Sequence, residues 1–213
     1  MSASQQVQRE RHELAELLLV VGPDAPTLCE GWTTTDLAAH LVVRESRPDA
    51  APGIVVGPLA GWTKRVQDSV ASQPYPELVR KVRTGPPTLS VFSLPGMDGA
   101  ANLLEYFVHH EDVRRGAPGW QMRDLPPELA DALWGRLRKM GSLLFRRVPV
   151  AVTLERTDGA GGSITVRKGP EGVTLRGPAG ELMLRAYGRK AVNVDVIGSP
   201  EAVAAFEPAS LGI

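Results

Sequence analysis

Two segments of helical pattern carry His and acidic side chains at intervals that suit metal coordination. Asp36, His40 and Arg44 stand at i, i+4 and i+8 in the first segment, and Glu105 and His109 stand at i and i+4 in the second. Residues three or four apart share one face of a helix, so each segment presents a polar strip. Two neighbouring helices that each turn a His inward can bring three ligands to one divalent ion.

The ligands selected by this spacing are His40, Glu105 and His109. Two imidazoles and one carboxylate suit a catalytic zinc ion or another divalent metal, because three protein ligands leave positions for water or substrate. On spacing alone a solvated polar face is the favoured interpretation, since an i, i+4 pair on a helix surface needs no metal. His110 is the competing ligand, but it is rotated about 100° from His109 around the helix. We expect His110 to pack in the interior or to support a ligand.

Other polar and aromatic residues near these segments have more than one interpretation. Asp36 and Asp112 either orient a ligand by accepting its second imidazole N–H, or serve as a helix cap and a surface charge. We expect Cys29 to be a core residue rather than a nucleophile, because no base neighbours it in sequence and free Cys is commonly buried. Trp32 either lines a pocket or packs a loop corner, which is the commoner role. We expect His12 to face solvent.

Hydrophobic periodicity predicts that the first two thirds of the chain are helical. The second helix begins at a capping sequence, Thr33-Thr34-Thr35-Asp36, and ends before Pro48. The predicted helices cover residues 5–21, 33–46, 58–72, 75–84, 98–115 and 126–147. We interpret residues 1–147 as a helical bundle.

After residue 148 the apolar pattern changes from a period of about 3.6 to a period of about 2. Short alternating runs, separated by Gly-rich turns, predict strands at 150–156, 163–168, 172–176 and 192–197, with helices at 180–187 and 200–206. The sequence therefore predicts a mainly α protein of the α+β class, in which a small α+β domain over residues 148–213 follows the bundle.

The composition excludes several classes of protein. The chain of 213 residues is 43% hydrophobic and 23% charged, which is typical of globular domains. Its 24 basic residues balance 24 acidic ones, so nothing favours nucleic acid or an anionic membrane as a partner. No apolar stretch approaches the roughly 20 residues of a membrane span, and the polar N-terminal segment is unlike a signal peptide. We expect a cytoplasmic protein that acts on a small molecule.

Residue usage also bears on the source and on the metal. Only five of the 24 basic residues are lysine, and the Arg, Gly and Pro content is typical of a GC-rich bacterial genome. The single cysteine, Cys29, excludes an intramolecular disulfide and a multi-cysteine zinc site. A metal would therefore be held mainly by His, Asp or Glu.

Two motifs, LCEGWTTTDLAAHL at residues 28–41 and EYFVHHED at residues 105–112, carry a family resemblance. The first looks like the Gly-Trp-Thr…Asp-Leu…His-Leu signature of the mycothiol-dependent maleylpyruvate isomerase family, and the second resembles that family's Glu-x-x-x-His-x-x-Asp signature. The family is a branch of the DinB-like helical bundles, which bind a divalent metal with residues from two or more helices. The segments 180–189 and 194–201 are similar to its C-terminal domain, which is reminiscent of sterol-carrier folds.

The resemblance implies that His40, Glu105 and His109 bind the metal and that Arg189 faces the metal pocket as a catalytic residue. A cation at the end of a helix also complements the helix dipole, so Arg189 keeps both interpretations. The implied cofactors are a divalent metal, for which zinc suits the donors, and mycothiol or another low-molecular-weight thiol, whose pKa the metal would lower.

The implied activity is that of a thiol-dependent isomerase or S-transferase. Thiol transfer, conjugate cleavage and isomerisation can all use such a thiolate, so the family's named reaction is not carried over. The alternative is a non-enzymatic module that binds a small molecule or a protein partner and contains a structural metal. A closed site with four protein ligands would favour that alternative, and an open site would favour catalysis.

Overall fold

A computed structural model of the protein describes residues 3–47, 49–50, 53, 57–86 and 98–212. Within these residues the chain forms eight α-helices and one four-stranded sheet, which confirms the predicted mainly α, α+β class. The chain divides into two compact units, Met1–Gln121 and Met122–Ile213. Among the described residues, no helix combines the length and the apolar character needed to cross a bilayer.

The first unit is helical. It contains α1 (Ala3–Val21), α2 (Thr34–Ser46), a short 3-10 helix (Gly57–Leu59), α3 (Ala60–Ala71), α4 (Tyr75–Thr84) and α5 (Asp98–Arg114). Helix α1 packs against α5 and α4, and α2 packs against α3 and α4. These helices agree with the predicted segments apart from a few residues at their ends, whereas their DinB-like arrangement stays a prediction.

The contacts of a buried ion pair join four of these helices. Arg11 on α1 donates from its two terminal nitrogens to the carboxylate of Glu45 on α2, at 2.8 and 2.6 Å. The same guanidinium donates to the backbone oxygen of Val82 on α4 at 3.0 Å and lies over the ring of Tyr106 on α5. Because both charged side chains are almost fully buried, this pair sets the position of α2 among its neighbours.

The second unit is built on a mixed sheet. It contains α6 (Pro127–Leu144), β1 (Ala151–Arg156), β2 (Gly162–Arg167), β3 (Gly172–Gly177), α7 (Ala179–Ala186), β4 (Asp195–Gly198) and α8 (Pro200–Phe206). The strand order is β2-β1-β3-β4, in which β1 is antiparallel to β2 and parallel to β3, and β4 is antiparallel to β3. Helices α6 and α7 pack together, and α8 lies against β3 and β4. The likeness to sterol-carrier folds stays a prediction.

Helix α6 groups with the sheet, whereas the sequence placed it in the helical bundle that ends at residue 147. It packs against α7 and β2 through buried side chains that include Leu133 and Leu137. Gly141 lets the helix approach the strand closely, because a Cβ there would overlap the side chain of Val166. The pattern of α6 predicts a buried face correctly, but it does not specify which neighbour covers that face.

Candidate metal centre

His40, Glu105 and His109 lie together where α2 faces α5. Nε2 of His40 is 3.0 Å from Oε1 of Glu105, and Nε2 of His109 is 3.3 Å from the same oxygen. The two imidazole rings meet edge to face, with 5.2 Å between their centroids. One carboxylate oxygen therefore lies between two histidine nitrogens that come from different helices.

Local structure at the start of α2 fixes the direction in which His40 points. The Thr33 side chain accepts from the Asp36 backbone N–H, and the Asp36 carboxylate accepts from the Thr33 backbone N–H at 2.9 Å. This reciprocal capping box is the one that the sequence predicts, and it assigns Asp36 to the helix cap rather than to a ligand. His40 follows one turn later and is almost fully buried.

Between residues 102 and 113, helix α5 is buried on nearly all sides, and Glu105 is the exception in that stretch. Every side chain from residue 102 to residue 113 is buried except that of Glu105, which is 23% exposed. A helix with polar residues in its buried part must satisfy each of them with a partner. The exposure of Glu105 marks the place where the cluster of His40, Glu105 and His109 opens toward solvent.

Arg44, one turn after His40, holds the second oxygen of Glu105. Its Nε lies 3.4 Å from Oε2 of Glu105, and its Nη1 donates to the side-chain oxygen of the buried Asn102 at 2.5 Å. Oε1 and Oε2 of Glu105 thus have different partners. The arrangement leaves Oε1 with the two histidines.

His109 contacts a further carboxylate on the other side of its ring. Its Nδ1 donates to Oδ2 of Asp112 at 2.9 Å, and the Asp112 side chain is fully buried. The Cys29 Sγ lies 3.2 Å from the same Asp112 oxygen and 3.9 Å from Nδ1 of His109. The structure therefore makes Asp112 the residue that orients His109, which the sequence left open against a surface charge.

The electrostatics of the cluster follow from these contacts. Burial lowers the pKa of His109, but its contacts with Asp112, Cys29 and Glu105 raise it by more, so the net pKa lies well above the usual range. Burial raises the pKa of Glu105, but the hydrogen bonds from His109 and His40 lower it by more, to well below its ordinary value. Burial lowers the pKa of His40, and the hydrogen bond to Glu105 offsets only part of that effect. A cationic His109 thus lies between two carboxylates.

The donor set fits a divalent metal. The ligand atoms of His40, Glu105 and His109 lie within 4.8 Å of one another. A tetrahedral zinc ion with bonds of about 2.0–2.3 Å separates its ligand atoms by roughly 3.3–3.7 Å, which is close to the separations found between these donors. The carboxylates that surround His109 already favour positive charge at this position. The structure therefore brings together residues that could hold a metal ion.

Three other predicted residues have clear places in the first unit. His110 points away from His109 and pairs through Nδ1 with the buried Glu10 at 2.9 Å, which agrees with its predicted packing role. His12 is exposed, as expected. The Trp32 ring lies 5.0 Å from that of His40, so this aromatic forms a wall of the cluster.

Cys29 is the residue whose surroundings sequence reasoning missed. It is half-buried beside His109 and Asp112 rather than enclosed in an apolar core. The contact joins residues 83 positions apart, and the sequence near Cys29 contains no sign of it.

Arg189 follows α7 in the second unit. Its Nη1 donates to the backbone oxygen of Tyr187 at 2.8 Å, and its backbone N–H donates to the oxygen of Leu184 at 3.0 Å. These bonds satisfy carbonyl groups at the end of the helix, which is one of the two roles that the sequence allows. Arg189 lies in the second unit and the metal centre lies in the first, so its position at the metal pocket stays a prediction.

The chain was also compared with known proteins. It matches no protein-family model, no curated protein and no solved structure. The assignment of function therefore depends on the chemistry of the site and on the motifs.

Proposed function

We propose that the protein is a divalent-metal-dependent enzyme, with zinc as its metal, that uses a low-molecular-weight thiol of the mycothiol type in an isomerase or S-transferase reaction. The observation that carries the proposal is the convergence of His40, Glu105 and His109 on one point between α2 and α5. The resemblance of residues 28–41 and 105–112 to the mycothiol-dependent family supports the choice of a thiol.

The charge of the donor set supports an anionic substrate or cofactor. Two neutral imidazoles and one carboxylate would leave a divalent ion with net positive charge, and Arg44 adds another positive charge beside Glu105. When bound, the metal would supply Lewis acidity and lower the pKa of a thiol or water in its open position.

Each nearby side chain has a definite task in this proposal. Asp112 accepts from Nδ1 of His109 and so directs Nε2 toward the metal position. Arg44 holds Oε2 of Glu105 and leaves Oε1 for the metal. Trp32 covers one side of His40 and limits the approach of water from that direction.

An open site is favoured over a closed structural one. Within the described part of the chain, the group around His40 and Glu105 has three protein ligands, whereas structural zinc normally has four. The partial exposure of Glu105 gives a thiol a route to the ion. Both observations support catalysis over the alternative of a non-enzymatic binding module.

Arg189 would bind a carboxylate of the substrate through its guanidinium. This assignment comes from the family resemblance alone. An Arg189→Gln variant is expected to bind metal normally and to lose affinity for an anionic substrate.

The metal is tested by elemental analysis of protein purified without chelator. We expect about one zinc ion per chain in the wild type and little in His40→Ala, because His40 is the ligand that α2 contributes. His12→Ala is the matched control, since it removes an exposed imidazole from the same unit and should retain the metal. A metal-free wild type, or a His40→Ala variant with undiminished metal, would contradict the proposal.

A further inference from the structure

We propose that Cys29, His109 and Asp112 form a second metal site, selective for a thiophilic divalent ion such as cadmium(II). It uses Nδ1 of His109, whereas the site proposed above uses Nε2. The proposal does not depend on the enzymatic function. The two sites share His109 as a ligand, and Asp112, a ligand here, orients His109 in the other site.

The geometry of the three donors suits a metal ion. Sγ of Cys29 lies 3.2 Å from Oδ2 of Asp112 and 3.9 Å from Nδ1 of His109, and the latter two atoms are 2.9 Å apart. These separations bracket the roughly 3.3–3.7 Å between the ligands of a tetrahedral zinc ion with bonds of about 2.0–2.3 Å, and a larger ion needs the donors slightly further apart. A small displacement of the side chains would place all three donors at bonding distance.

The loop that carries Cys29 is anchored to α5 by its backbone. The Leu28 N–H donates to the backbone oxygen of Asp112 at 3.0 Å, and the Cys29 N–H donates to Oγ1 of Thr27 at 3.1 Å. The Thr27 hydroxyl in turn contacts the backbone oxygen of Trp32 at 3.0 Å. The thiol is thus held beside His109 and Asp112 by bonds that do not involve its own side chain.

The loop that carries Cys29 is also held by a close backbone contact between Pro26 and Gly116, which follows α5. A Cβ at Gly116 would overlap the backbone oxygen of Pro26, so only glycine lets the loop lie this near. The backbone position of Cys29 is therefore established before any ion binds. A ligand set that is held in place loses less conformational entropy on binding a metal.

The chemistry of the donors selects the class of ion. A thiolate, a carboxylate and a neutral imidazole together neutralise a divalent cation, and the thiolate favours soft, thiophilic metals. Asp112 is fully buried, whereas Cys29 is half-buried. An ion would therefore enter from the side of Cys29.

Binding at this site has a simple proton balance. The Cys29 thiol releases its S–H proton and the cationic His109 releases its Nδ1 proton, both to solvent, when the sulfur and Nδ1 bond to the ion. His109 binds through Nδ1 and keeps its ring proton on Nε2, where Oε1 of Glu105 lies 3.3 Å away as an acceptor. Because a neutral imidazole has one unprotonated nitrogen, His109 serves one of the two sites at a time.

The test is a titration of metal-free, full-length protein with cadmium(II) alone, monitored by thiolate-to-cadmium charge-transfer absorption in the ultraviolet. We expect a band that saturates at about one ion per chain in the wild type and is absent in Cys29→Ser. His40→Ala should keep the band, because His40 belongs only to the other site. Asp112→Asn should need at least about 10-fold more cadmium for half-saturation, because an uncharged amide replaces an anionic ligand.

Three results would overturn the proposal. The first is a wild type without the band. The second is a band equally strong in Asp112→Asn and His109→Asn, which would mean that the thiol binds cadmium by itself. The third is loss of the band in His40→Ala with the fold intact by circular dichroism, which would place Cys29 in the other site. Because Cys, His and Asp also bind zinc, the zinc content that tests the enzymatic proposal is compared in Cys29→Ser with and without His40→Ala.

Discussion

Nδ1 of His109 donates a hydrogen bond of 2.9 Å to Oδ2 of Asp112, which lies three residues further along the same helix and is fully buried. This bond decides which ring nitrogen of His109 faces Glu105 and His40. Orientation of an imidazole by a carboxylate is a common means of strengthening a metal ligand.

Replacement of Asp112 by asparagine should weaken zinc binding. We expect a loss of about 10–100-fold in affinity, because a neutral amide is a poorer acceptor for the N–H of His109. Competition with a chromophoric zinc chelator measures the change. Asp68→Asn, which alters an exposed carboxylate on α3, is the matched control and should bind zinc as the wild type does. Equal affinity in Asp112→Asn and the control would show that the hydrogen bond does not support the ligand.

Replacing one partner of the buried pair of Arg11 and Glu45 should lower the free energy of unfolding substantially. Glu45→Ala leaves the Arg11 guanidinium buried without its carboxylate, and we expect a loss of about 3–5 kcal/mol in the free energy of unfolding. Replacing both residues by apolar ones, as in Arg11→Met with Glu45→Leu, should recover most of that loss. Chemical denaturation measures both effects. Asp68→Ala, which breaks an exposed pair with Lys64, should change stability by less than about 1 kcal/mol.

Gly116→Ala should displace the loop that carries Cys29. The new Cβ would overlap the backbone oxygen of Pro26, so the loop must move or the variant must lose stability. Gly61→Ala is the control, because a Cβ at that position in α3 meets no atom within 4 Å. In Gly116→Ala the thermal midpoint should fall or the reactivity of Cys29 toward a thiol reagent should change, whereas Gly61→Ala should keep that reactivity and should not lower the midpoint. Unchanged values in Gly116→Ala would contradict the close approach.

Asp158 should make the second unit sensitive to acid. Burial raises the pKa of Asp158, but hydrogen bonds from Arg156 and from the Ala179 N–H lower it by more, so its net pKa is below the ordinary value. A carboxylate of this kind stabilises the fold above its unfolded pKa, and that contribution is lost as the pH falls through the folded value.

The thermal midpoint should therefore fall less steeply in Asp158→Asn than in the wild type as the pH is lowered below about 4. Asp195→Asn, which changes an exposed carboxylate on β4, should follow the wild type. Parallel curves for Asp158→Asn and the wild type would mean that the Asp158 contacts do not stabilise the charged form.

The sequence predicted the helices and the three clustered residues because both depend on local patterns. The spacing of Glu105 and His109 places them on one face of α5, and the capping box starts α2 one turn before His40. His40 and Glu105 are 65 residues apart, so the spacing allows their meeting between two helices without requiring it, and the motif resemblance is what favours it.

The surroundings of Cys29 and the place of α6 depend on tertiary contacts that no local pattern contains. Cys29 reaches Asp112 through a backbone bond from Leu28 and the close approach at Gly116. Helix α6 has the apolar face of a bundle helix. Because Gly141 has no side chain, the helix packs closely on β2 instead. Amphipathic periodicity specifies that a face is buried, whereas the partner depends on the shape of both surfaces.

The most direct test of the enzymatic proposal is the absorption spectrum of cobalt(II)-substituted Cys29→Ser protein, before and after addition of mycothiol. The substitution removes the protein's own thiol, so any thiolate-to-cobalt band must come from the added one. We expect bound cobalt without a thiolate band at first, and an intense band when the thiol is added. The same additions to His40→Ala with Cys29→Ser should give no band. Cobalt that binds but never acquires a thiolate band would contradict an open, thiol-activating metal centre at His40, Glu105 and His109.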